Sequence, residues 1–425
     1  MDRIRIHGGR MLKGEVPIGG AKNAALPFLA ASLLTSDPCR LTNVPHLKDV
    51  DTMCDVLKVL GGRIRRLDHE IEIRVEQLTG AEAPYDFVRK MRASVLLLGP
   101  LLARFGFARV SLPGGCAIGV RPIDQHLKAF QALGARIQLK DGYVEAEARQ
   151  LVGTTYVFDQ VTVTGTVNAM FAASLAEGET KLKNCACEPE VAASAELLAE
   201  MGAQVSGAGT PEVRIGGVKK LRGFNASLIP DRIETGTYMV ASALTEGDLY
   251  LRNGRANDLQ AVIGKLREIG AEVKTDTSGI RVIGHRPLLP TSIQTAPHPG
   301  FPTDMQAQLT VLLCLARGTS VVSETIFENR FMHVAELIRL GANLRVENAS
   351  VTVVGVDRLA GAPVMATDLR ASASLVLAGL AAEGTTEVLR IYHLDRGYEN
   401  MDAKLRAVGA DIERVHEGGR ERAKE

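Results

Sequence analysis

The sequence contains no tryptophan, and its aromatic residues amount to only 4% of the chain. Proteins that bind single-stranded nucleic acid stack the bases on aromatic side chains, so a platform of that kind is not expected here. The formal net charge of +1 over 425 residues also gives no overall positive field for a nucleic-acid backbone. We expect no nucleic-acid partner, and any phosphate site must depend on Lys and Arg side chains that are placed locally.

The six cysteines follow no zinc-binding spacing, and Cys185 and Cys187 are too close together for a C-x-x-C motif. Scattered thiols in a long chain are typical of a reducing compartment. No uninterrupted apolar run approaches the length of a membrane span, and the N-terminus has no apolar signal core. We therefore expect a cytoplasmic protein without membrane insertion, and we assign it no metal and no cofactor.

A repeat runs through the whole sequence. An apolar residue, a glycine and a small residue recur six times, and the glycines of successive copies are 68 to 73 residues apart, at Gly61, Gly134, Gly202, Gly270, Gly341 and Gly409. Glycine in this context ends a helix because it adopts the left-handed backbone conformation without steric cost. The pattern predicts six units of about 70 residues each.

Each unit is predicted to contain a helix, a strand, a second helix and two further strands. The first helix is apolar on all sides, as in the segment from Ser372 to Leu380, and such helices are buried. A solenoid does not usually bury a helix on every side, so we expect the units to form two clusters of three. The result is an α/β fold of two domains, with a ligand-binding cleft between them.

Cations stand where the predicted buried helices begin, at Lys22, Arg92 and Arg370. A positive side chain there opposes the helix dipole, so a separate reason for it is expected, and an anion site would be one. Arg330 and Arg396 lie on loops at equivalent places of two units. A surface salt bridge explains either of these loop arginines equally well, but together the cations favour a site for a small anionic substrate.

A loop rich in glycine and proline, residues 111–124, carries a thiol at Cys116 and a guanidinium at Arg121, which has the same relative place as Arg330. Glycine lets the backbone approach a ligand closely or move as a hinge. A thiol close to a fixed cation is a candidate for reactivity. The alternative interpretation is a surface turn with an incidental cysteine.

Eight segments resemble one family closely. They are GGAKNAALP (19–27), MRAS (91–94), SLPGGCAIGVRPID (111–124), PDRIETGTY (230–238), FPTDMQAQ (301–308), ENRFMHV (328–334), ATDLRASASLVLAG (366–379) and DRGYE (395–399). In these segments the chain resembles the UDP-N-acetylglucosamine 1-carboxyvinyltransferases, which are enolpyruvyl transferases, and the resemblance extends from Arg5 to about Val415. The related shikimate-pathway enzymes share the six-unit architecture but not these segments.

The resemblance implies a two-domain inside-out α/β barrel of the enolpyruvyl transferase type, with the helices inside and the sheets outside. It assigns residues 22–229 to a first three-unit domain that carries the Cys116 loop. Residues 1–21 and 230–425 would form a second, discontinuous domain. The active site is expected in the cleft between the two.

The resemblance also implies a reaction, the first committed step of peptidoglycan synthesis, on which cell-wall biogenesis, cell shape and cell division depend. The enolpyruvyl group of phosphoenolpyruvate passes to the 3′-hydroxyl of UDP-N-acetylglucosamine, and phosphate is released, by addition and elimination through a tetrahedral intermediate. This chemistry needs an acid for the methylene carbon, a base for the hydroxyl, and donors for phosphate and carboxylate. The expected partners are therefore these two small molecules.

Site residues follow from the same resemblance. Cys116 would be the acid, the residue that forms a covalent adduct with phosphoenolpyruvate, and the thiol that fosfomycin alkylates. Asp304 would be the base or the group that orients the hydroxyl. The other assignments are catalytic roles for Lys22 and Arg396, phosphoenolpyruvate contacts at Lys22, Asn23, Arg121, Arg330, Arg370 and Arg396, and UDP-N-acetylglucosamine contacts at Asn23, Arg92, Arg121, Pro122, Ile123, Asp124, Gln125, Thr162, Val163, Asp304 and Ile326.

One segment departs from a pattern common in the family, whose uridine diphosphate contacts lie in a Ser-Val-Gly-Ala-Thr run. In this chain the glycine comes one place later, at Gly165, and Thr164 adds a side chain where a close backbone approach is expected. Thr162 and Val163 are kept as contacts. Gln160 and Thr164 are left unassigned.

Two other classes of function remain open. A six-repeat interaction scaffold would not need a convergent set of arginines or Cys116. A sister transferase or a cyclase on the same fold would be separated by testing acceptor sugars. The sequence leaves the oligomeric state open.

Overall fold

The computed structural model describes residues 2–80, 82–83, 85, 91–112 and 123–416. These residues form two compact units. The N-terminal unit contains the described residues from Gly19 to Ile229, and the C-terminal unit contains the segment up to Ile18 together with the chain from Pro230 onward. None of the described helices is long and apolar enough to cross a bilayer.

The described part of the chain contains twelve α-helices and five short 3₁₀ helices. In chain order the α-helices are α1 (Lys22–Ala31), α2 (Lys48–Val59), α3 (Leu98–Phe105), α4 (Asp124–Ala132), α5 (Val163–Ala173), α6 (Pro189–Glu200), α7 (Arg232–Leu244), α8 (Gln260–Ile269), α9 (Gln306–Leu313), α10 (His333–Arg339), α11 (Leu369–Ala381) and α12 (Met401–Ala407). The 3₁₀ helices are Ser32–Leu34, Arg92–Leu97, Ala256–Leu259, Thr303–Met305 and Ile391–Arg396.

The same residues contain 24 strands. They are β1 (Arg3–His7), β2 (Lys13–Pro17), β3 (Cys39–Thr42), β4 (Arg63–Leu67), β5 (Glu70–Arg74), β6 (Glu82–Ala83), β7 (Phe107–Ser111), β8 (Arg136–Lys140), β9 (Tyr143–Glu147), β10 (Thr155–Val157), β11 (Glu179–Lys183), β12 (Gln204–Ser206), β13 (Glu212–Gly216), β14 (Asn225–Ser227), β15 (Asp248–Arg252), β16 (Glu272–Thr275), β17 (Gly279–Ile283), β18 (Ile293–Gln294), β19 (Thr319–Ser323), β20 (Asn343–Glu347), β21 (Ser350–Val354), β22 (Pro363–Met365), β23 (Thr385–Leu389) and β24 (Asp411–Val415).

Within the described ranges the strands form six open four-stranded sheets, three in each unit. The N-terminal unit has the orders β14-β3-β5-β4, β6-β7-β9-β8 and β10-β11-β13-β12, and the C-terminal unit has β16-β17-β15-β2, β18-β19-β21-β20 and β22-β23-β1-β24. In every sheet one outer strand is parallel to its neighbour, and the other two pairings are antiparallel. This shared pattern confirms the α/β class and the six repeated units.

Each unit has a hydrophobic core of its own. In the C-terminal unit α7, α9 and α11 contact one another, and each also contacts strands of its own repeat. All residues of α7 and α9 are buried, as predicted for the first helix of each unit. The polar residues of these helices are therefore buried as well, and they need partners inside the protein.

The six glycines of the repeat all have a left-handed backbone, with φ between 90° and 109°. Each follows the second helix of its unit, as Gly270 follows α8 and caps it through a hydrogen bond from its N–H to the carbonyl oxygen of Arg267. A residue with a Cβ atom is strained in this conformation. The prediction that these glycines end helices is confirmed.

The segment from Arg3 to Pro17 supplies one strand to each of two sheets in the C-terminal unit. In β1, Ile4 pairs with Val388 on one side and with Arg414 on the other. β2 runs parallel to β15, with Val16 opposite Leu251. The C-terminal unit is thus built from two distant parts of the sequence.

Candidate active site

In the C-terminal unit Asp304 lies between two arginines. Its Oδ1 atom accepts a hydrogen bond of 2.6 Å from Nη2 of Arg330, and its Oδ2 atom accepts one of 2.7 Å from Nη2 of Arg370. The side chains of Arg330 and Arg370 are only 5% and 6% exposed, whereas that of Asp304 is 26% exposed. The structure therefore brings three of the predicted site residues together, and the carboxylate is the member that solvent reaches most easily.

The electrostatics of this triad fix its charge state. Burial raises the pKa of the Asp304 carboxyl, but the charges of Arg370 and Arg330 outweigh it and hold the pKa well below its usual range. Burial disfavours the charge on Arg370, yet the Asp304 carboxylate raises the pKa of that guanidinium overall. Asp304 and Arg370 therefore stay charged, and the two guanidiniums beside a single carboxylate suit an anionic ligand.

Arg370 is supported by a buried polar network that the sequence did not reveal. Its Nη1 donates to the hydroxyl of Tyr398 at 3.3 Å, and this hydroxyl lies 2.8 Å from Oγ1 of Thr237. The amide Nε2 of Gln308 contacts both hydroxyls at 3.2 Å and the carbonyl oxygen of Asp304 at 3.0 Å. The signal in the sequence is the presence of polar residues, Thr237 and Gln308 among them, in helices that are predicted to be buried.

The other predicted residues of the C-terminal unit are placed by loops and short turns. Arg396 is the last residue of the 3₁₀ helix Ile391–Arg396 and is partly buried. Ile326 is partly buried, and its backbone N–H donates to Oε1 of Glu324 at 2.8 Å. Arg330 also lies over the ring of Phe327, with its Cζ atom 5.3 Å from the ring centroid. Packing and charge thus hold Arg330 on several sides.

In the N-terminal unit Lys22 is the first residue of α1 and forms an ion pair with Asp49 of α2, with 2.7 Å between Nζ and Oδ2. The two side chains are 12% and 6% exposed. Asn23 follows in the first turn of α1 and is partly buried. The sequence prediction missed Asp49, which neutralises a cation at a helix N-terminus and fixes its ammonium group.

Gln125, near the start of α4, is engaged within the protein through both atoms of its amide. Its Nε2 donates to Oδ2 of Asp124 and to Oδ2 of Asp159, at 3.0 Å each, and its Oε1 accepts from the Asp159 N–H at 2.9 Å. Lys128 lies 2.7 Å from Asp159. Asp124 is half-exposed, and Ile123 precedes it as the cap of the helix. These hydrogen bonds fix the orientation of the Gln125 amide, and its contact with UDP-N-acetylglucosamine stays a prediction.

The start of α5 is fixed by a cap and by a buried histidine. Thr162 caps the helix by accepting a hydrogen bond from the N–H of Gly165 at 3.2 Å, and Val163 is the first helical residue. Thr164, which departs from the family pattern, lies 3.3 Å from Nε2 of His126. Its side chain is therefore tied to the protein interior.

The hydrogen-bond partners of Asn168 define the tautomer of His126. The Asn168 amide donates from Nδ2 to the carbonyl oxygen of Val95 at 2.7 Å and accepts at Oδ1 from the N–H of Gly99 at 2.8 Å, which fixes its orientation. Nδ2 also lies 3.0 Å from Nδ1 of His126, so Nδ1 must accept. The proton of the neutral imidazole is then on Nε2, from which it is donated to Thr164.

Two buried histidines predict a loss of stability in mild acid. Burial lowers the pKa of His126 and of His333 to about 4. In the unfolded chain a histidine has a pKa of about 6.5. The native state therefore binds fewer protons between these values, so its stability is fully present above about pH 6.5 and is lost as the pH falls toward 4. We expect a decrease in the free energy of unfolding of about 3 kcal/mol for each histidine, measured by urea denaturation at pH 7 and pH 4.

The matched variants are His126→Gln and His333→Gln, because glutamine has an acceptor and a donor but does not titrate. Each variant should lose less stability than the wild type over this pH interval. An equal loss in wild type and both variants would show that carboxylates, and not these histidines, cause the acid sensitivity.

Three predicted site residues, Cys116, Arg121 and Pro122, lie outside the described residues. Arg92 is the first residue of the 3₁₀ helix Arg92–Leu97. Its contact with UDP-N-acetylglucosamine, which the resemblance implies, stays a prediction.

Among the described residues, His46, Asp68 and His69 form a cluster whose ligand atoms lie within 4.8 Å of one another. Nε2 of His46 is 3.3 Å from Oδ1 of Asp68, and Nδ1 of His69 is 3.0 Å from its Oδ2. The two imidazoles thus satisfy the two carboxylate oxygens, and the contacts are explained without an ion. The cluster is open to solvent, since all three side chains are more than 40% exposed.

Comparisons with known proteins agree with the predicted family. The family model described as EPSP synthase (3-phosphoshikimate 1-carboxyvinyltransferase) matches residues 6–405. A protein named UDP-N-acetylglucosamine 1-carboxyvinyltransferase from Anaeromyxobacter dehalogenans (strain 2CP-C) is 58% identical over 420 residues, which are 98% of this chain and 100% of that protein. A protein of the same name from Desulfatibacillum aliphaticivorans is 55% identical over 415 residues, with the same coverage.

The fold has a close counterpart among solved structures. The enolpyruvyl transferase NikO from Streptomyces tendae matches with a TM-score of 0.88 and 26% identity, covering 97% of this chain and 99% of that one. The enolpyruvyl transferase architecture predicted from the sequence is therefore confirmed. The chain belongs to the EPSP synthase family of enolpyruvyl transferases and, within it, to the UDP-N-acetylglucosamine 1-carboxyvinyltransferases.

Proposed function

We propose that the protein transfers the enolpyruvyl group of phosphoenolpyruvate to the 3′-hydroxyl of UDP-N-acetylglucosamine and releases phosphate, the first committed step of peptidoglycan synthesis. The names of the relatives support this choice of acceptor. The geometric observation that carries it is Asp304 held between Arg330 and Arg370. A carboxylate beside two guanidiniums offers a hydroxyl an acceptor and offers an anionic substrate two donors.

The proposed reaction has two steps. In the addition the 3′-oxygen attacks C2 of phosphoenolpyruvate, the methylene carbon C3 takes a proton, and the hydroxyl loses one, which gives a tetrahedral intermediate. In the elimination the C2–O bond to phosphate breaks and C3 gives up a proton, which restores the double bond. The protein must supply a proton to C3, accept one from the hydroxyl and stabilise the phosphate and carboxylate charges.

Asp304 has the geometry to orient the hydroxyl. Its depressed pKa makes it a weak base while both guanidiniums hold it, because an effective general base has a pKa near the working pH. We propose that phosphoenolpyruvate shares Arg330 and Arg370 when it binds. The two guanidiniums then stabilise the Asp304 carboxylate less, so its pKa rises and it can accept the hydroxyl proton.

The proposed acid is Cys116, assigned by the resemblance. Lys22 and Arg121 are proposed to bind phosphoenolpyruvate together with Arg396. These residues come from both halves of the sequence, so we propose that catalysis needs both the domain of residues 22–229 and the domain of residues 1–21 and 230–425. The proposed sugar-nucleotide contact at Thr162 is supported by its place at the start of α5, where its side chain caps the helix.

We propose a cytoplasmic location. The five described cysteines are all free thiols, and four of them are buried. Free thiols are typical of a reducing compartment.

The function is tested by measuring inorganic phosphate released from phosphoenolpyruvate by the purified protein. Release is expected only when UDP-N-acetylglucosamine is also present, with one phosphate for each acceptor consumed. The matched control is shikimate 3-phosphate, the acceptor named in the description of the family model. Turnover with that acceptor alone would show a sister transferase, and no turnover with either would favour an interaction scaffold.

A further inference from the structure

The buried carboxylate of Glu324 lies outside the triad of Asp304, Arg330 and Arg370. It connects loops that carry residues of this triad. Glu324 follows β19 and is 2% exposed. Its Oε1 atom accepts hydrogen bonds from Oγ1 of Thr295 at 2.9 Å, from the N–H of Ile326 at 2.8 Å and from the N–H of Phe327 at 3.2 Å. Its Oε2 atom accepts from Oγ1 of Thr303 at 2.7 Å. One carboxylate thus joins three segments of chain that are separate in sequence.

Two of these segments carry proposed substrate contacts. Thr303 immediately precedes Asp304 in the 3₁₀ helix Thr303–Met305, and Ile326 is itself a proposed sugar-nucleotide contact. Thr303 also accepts a hydrogen bond of 3.0 Å at Oγ1 from Nη1 of Arg330. A chain of hydrogen bonds therefore runs from Glu324 through Thr303 to Arg330, and from there to Asp304.

The charge of Glu324 sets the direction of this chain. A hydroxyl has one proton, and a carboxylate can only accept, so the Thr303 proton points to Glu324. The lone pairs of the Thr303 hydroxyl then face the Arg330 guanidinium, which can only donate. If the residue at 324 donated to the Thr303 hydroxyl instead, the hydroxyl proton would have to turn away from residue 324 and would lose its acceptor.

We propose that Glu324 is a positioning residue for the transferase reaction, which orients Thr303 so that Arg330 is held in place beside Asp304. Burying a neutral side chain at this position would cost less desolvation free energy than burying a carboxylate. A carboxylate suits this position because three donors converge on its Oε1 atom and the Thr303 hydroxyl donates to its Oε2 atom. The proposal rests on the proposed function, since it concerns the efficiency of that reaction.

Glu324→Gln separates this role from a purely structural one. Three donors converge at Oε1, so the amide oxygen must take that position and the amide nitrogen must face Thr303. The loop donors of Ile326 and Phe327 remain satisfied, and the variant is expected to fold. The amide nitrogen now donates to one lone pair of the Thr303 hydroxyl, so the hydroxyl proton loses its carboxylate acceptor and no longer holds the other lone pair toward Arg330.

The expected result is a decrease of about tenfold or more in kcat/KM for phosphoenolpyruvate, the scale of one hydrogen bond to a charged group. KM for UDP-N-acetylglucosamine should stay within about twofold, because the loop around Ile326 keeps its hydrogen bonds. Thr303→Val, which removes the hydroxyl, should give a similar loss. The double variant should be no worse than either single one, because both changes break the same chain.

Ser323→Ala is the matched control. Ser323 is the neighbour of Glu324 and loses only its 2.8 Å contact with Ser350, so kcat/KM should not change. Unchanged kcat/KM in Glu324→Gln, or losses in Glu324→Gln and Thr303→Val that add in the double variant, would overturn the proposal. The wild-type protein measured in the same assay tests the proposed function separately, since a wild type without turnover contradicts that function and not the role of Glu324.

Discussion

Asp304→Asn should lower kcat by at least about a hundredfold, the usual scale for the loss of a general base. An amide cannot accept the hydroxyl proton. Its geometry is also wrong for the site, because Arg330 donates to one carboxylate oxygen and Arg370 to the other. Whichever way the amide is turned, its NH₂ group faces a guanidinium that can only donate, and one arginine must move away. The measurement is kcat from phosphate release at saturating concentrations of both substrates.

The matched control for this prediction is Asp368→Asn. Asp368 caps α11 through hydrogen bonds from the N–H groups of Arg370 and Ala371, and asparagine caps a helix about as well as aspartate. Its kcat should stay within about twofold of the wild-type value. If Asp304→Asn had a kcat close to that of the wild type, Asp304 would be neither the base nor an essential orienting group.

Cys116→Ser should lower kcat by at least about a thousandfold, since a serine hydroxyl is a far weaker acid than a thiol. Cys116→Asp should retain activity, because a carboxyl group can supply the proton to C3. The aspartate variant should no longer be inactivated covalently by fosfomycin. Activity is measured by phosphate release, and the adduct is located by mass spectrometry.

The raised pKa values of the other five thiols make the location of the fosfomycin adduct informative. Burial raises the pKa of Cys39, Cys185 and Cys314 to about 12 and that of Cys54 to about 11. Burial raises the pKa of Cys187 as well. Thiols with such pKa values react slowly, because the thiolate is the nucleophile. Rapid fosfomycin inactivation of Cys116→Asp, with the adduct at one of these cysteines, would contradict the assignment.

The fold could be predicted from the sequence because its signals are local and occur six times. A glycine directly after an amphipathic helix, such as Gly270, ends that helix by adopting a positive φ, and a helix apolar on all sides is buried. Strand partners follow no local signal. The pairing of β1 with β23 and β24 joins distant parts of the chain, and only the resemblance, not the residue pattern, indicated that the N-terminal segment belongs with the later units.

The site was predicted only in part, for a comparable reason. Arg370 carries a charge that opposes the dipole at the start of its helix, Arg330 has the same place in its unit as arginines of other units, and Asp304 was assigned by the resemblance. Glu324 and Asp49 were missed because an acid in a loop or in the first turn of a helix is ordinary. Their importance depends on burial and on partners far away in sequence, such as Thr303 for Glu324 and Lys22 for Asp49.

The pairing of β1 and β2 with later strands has a consequence for folding during translation. β1 leaves the exit tunnel long before its neighbours β23 and β24 are translated, an interval on the order of 20 to 80 seconds at about 5–20 residues per second. During that time its alternating apolar residues Ile4 and Ile6, both fully buried in the finished fold, have no sheet to join. The N-terminal unit, by contrast, has all its strands once β14 has emerged. The nascent chain therefore carries two unpaired strands beside a unit whose strands are complete, and these strands are where we expect chaperones to bind before translation ends.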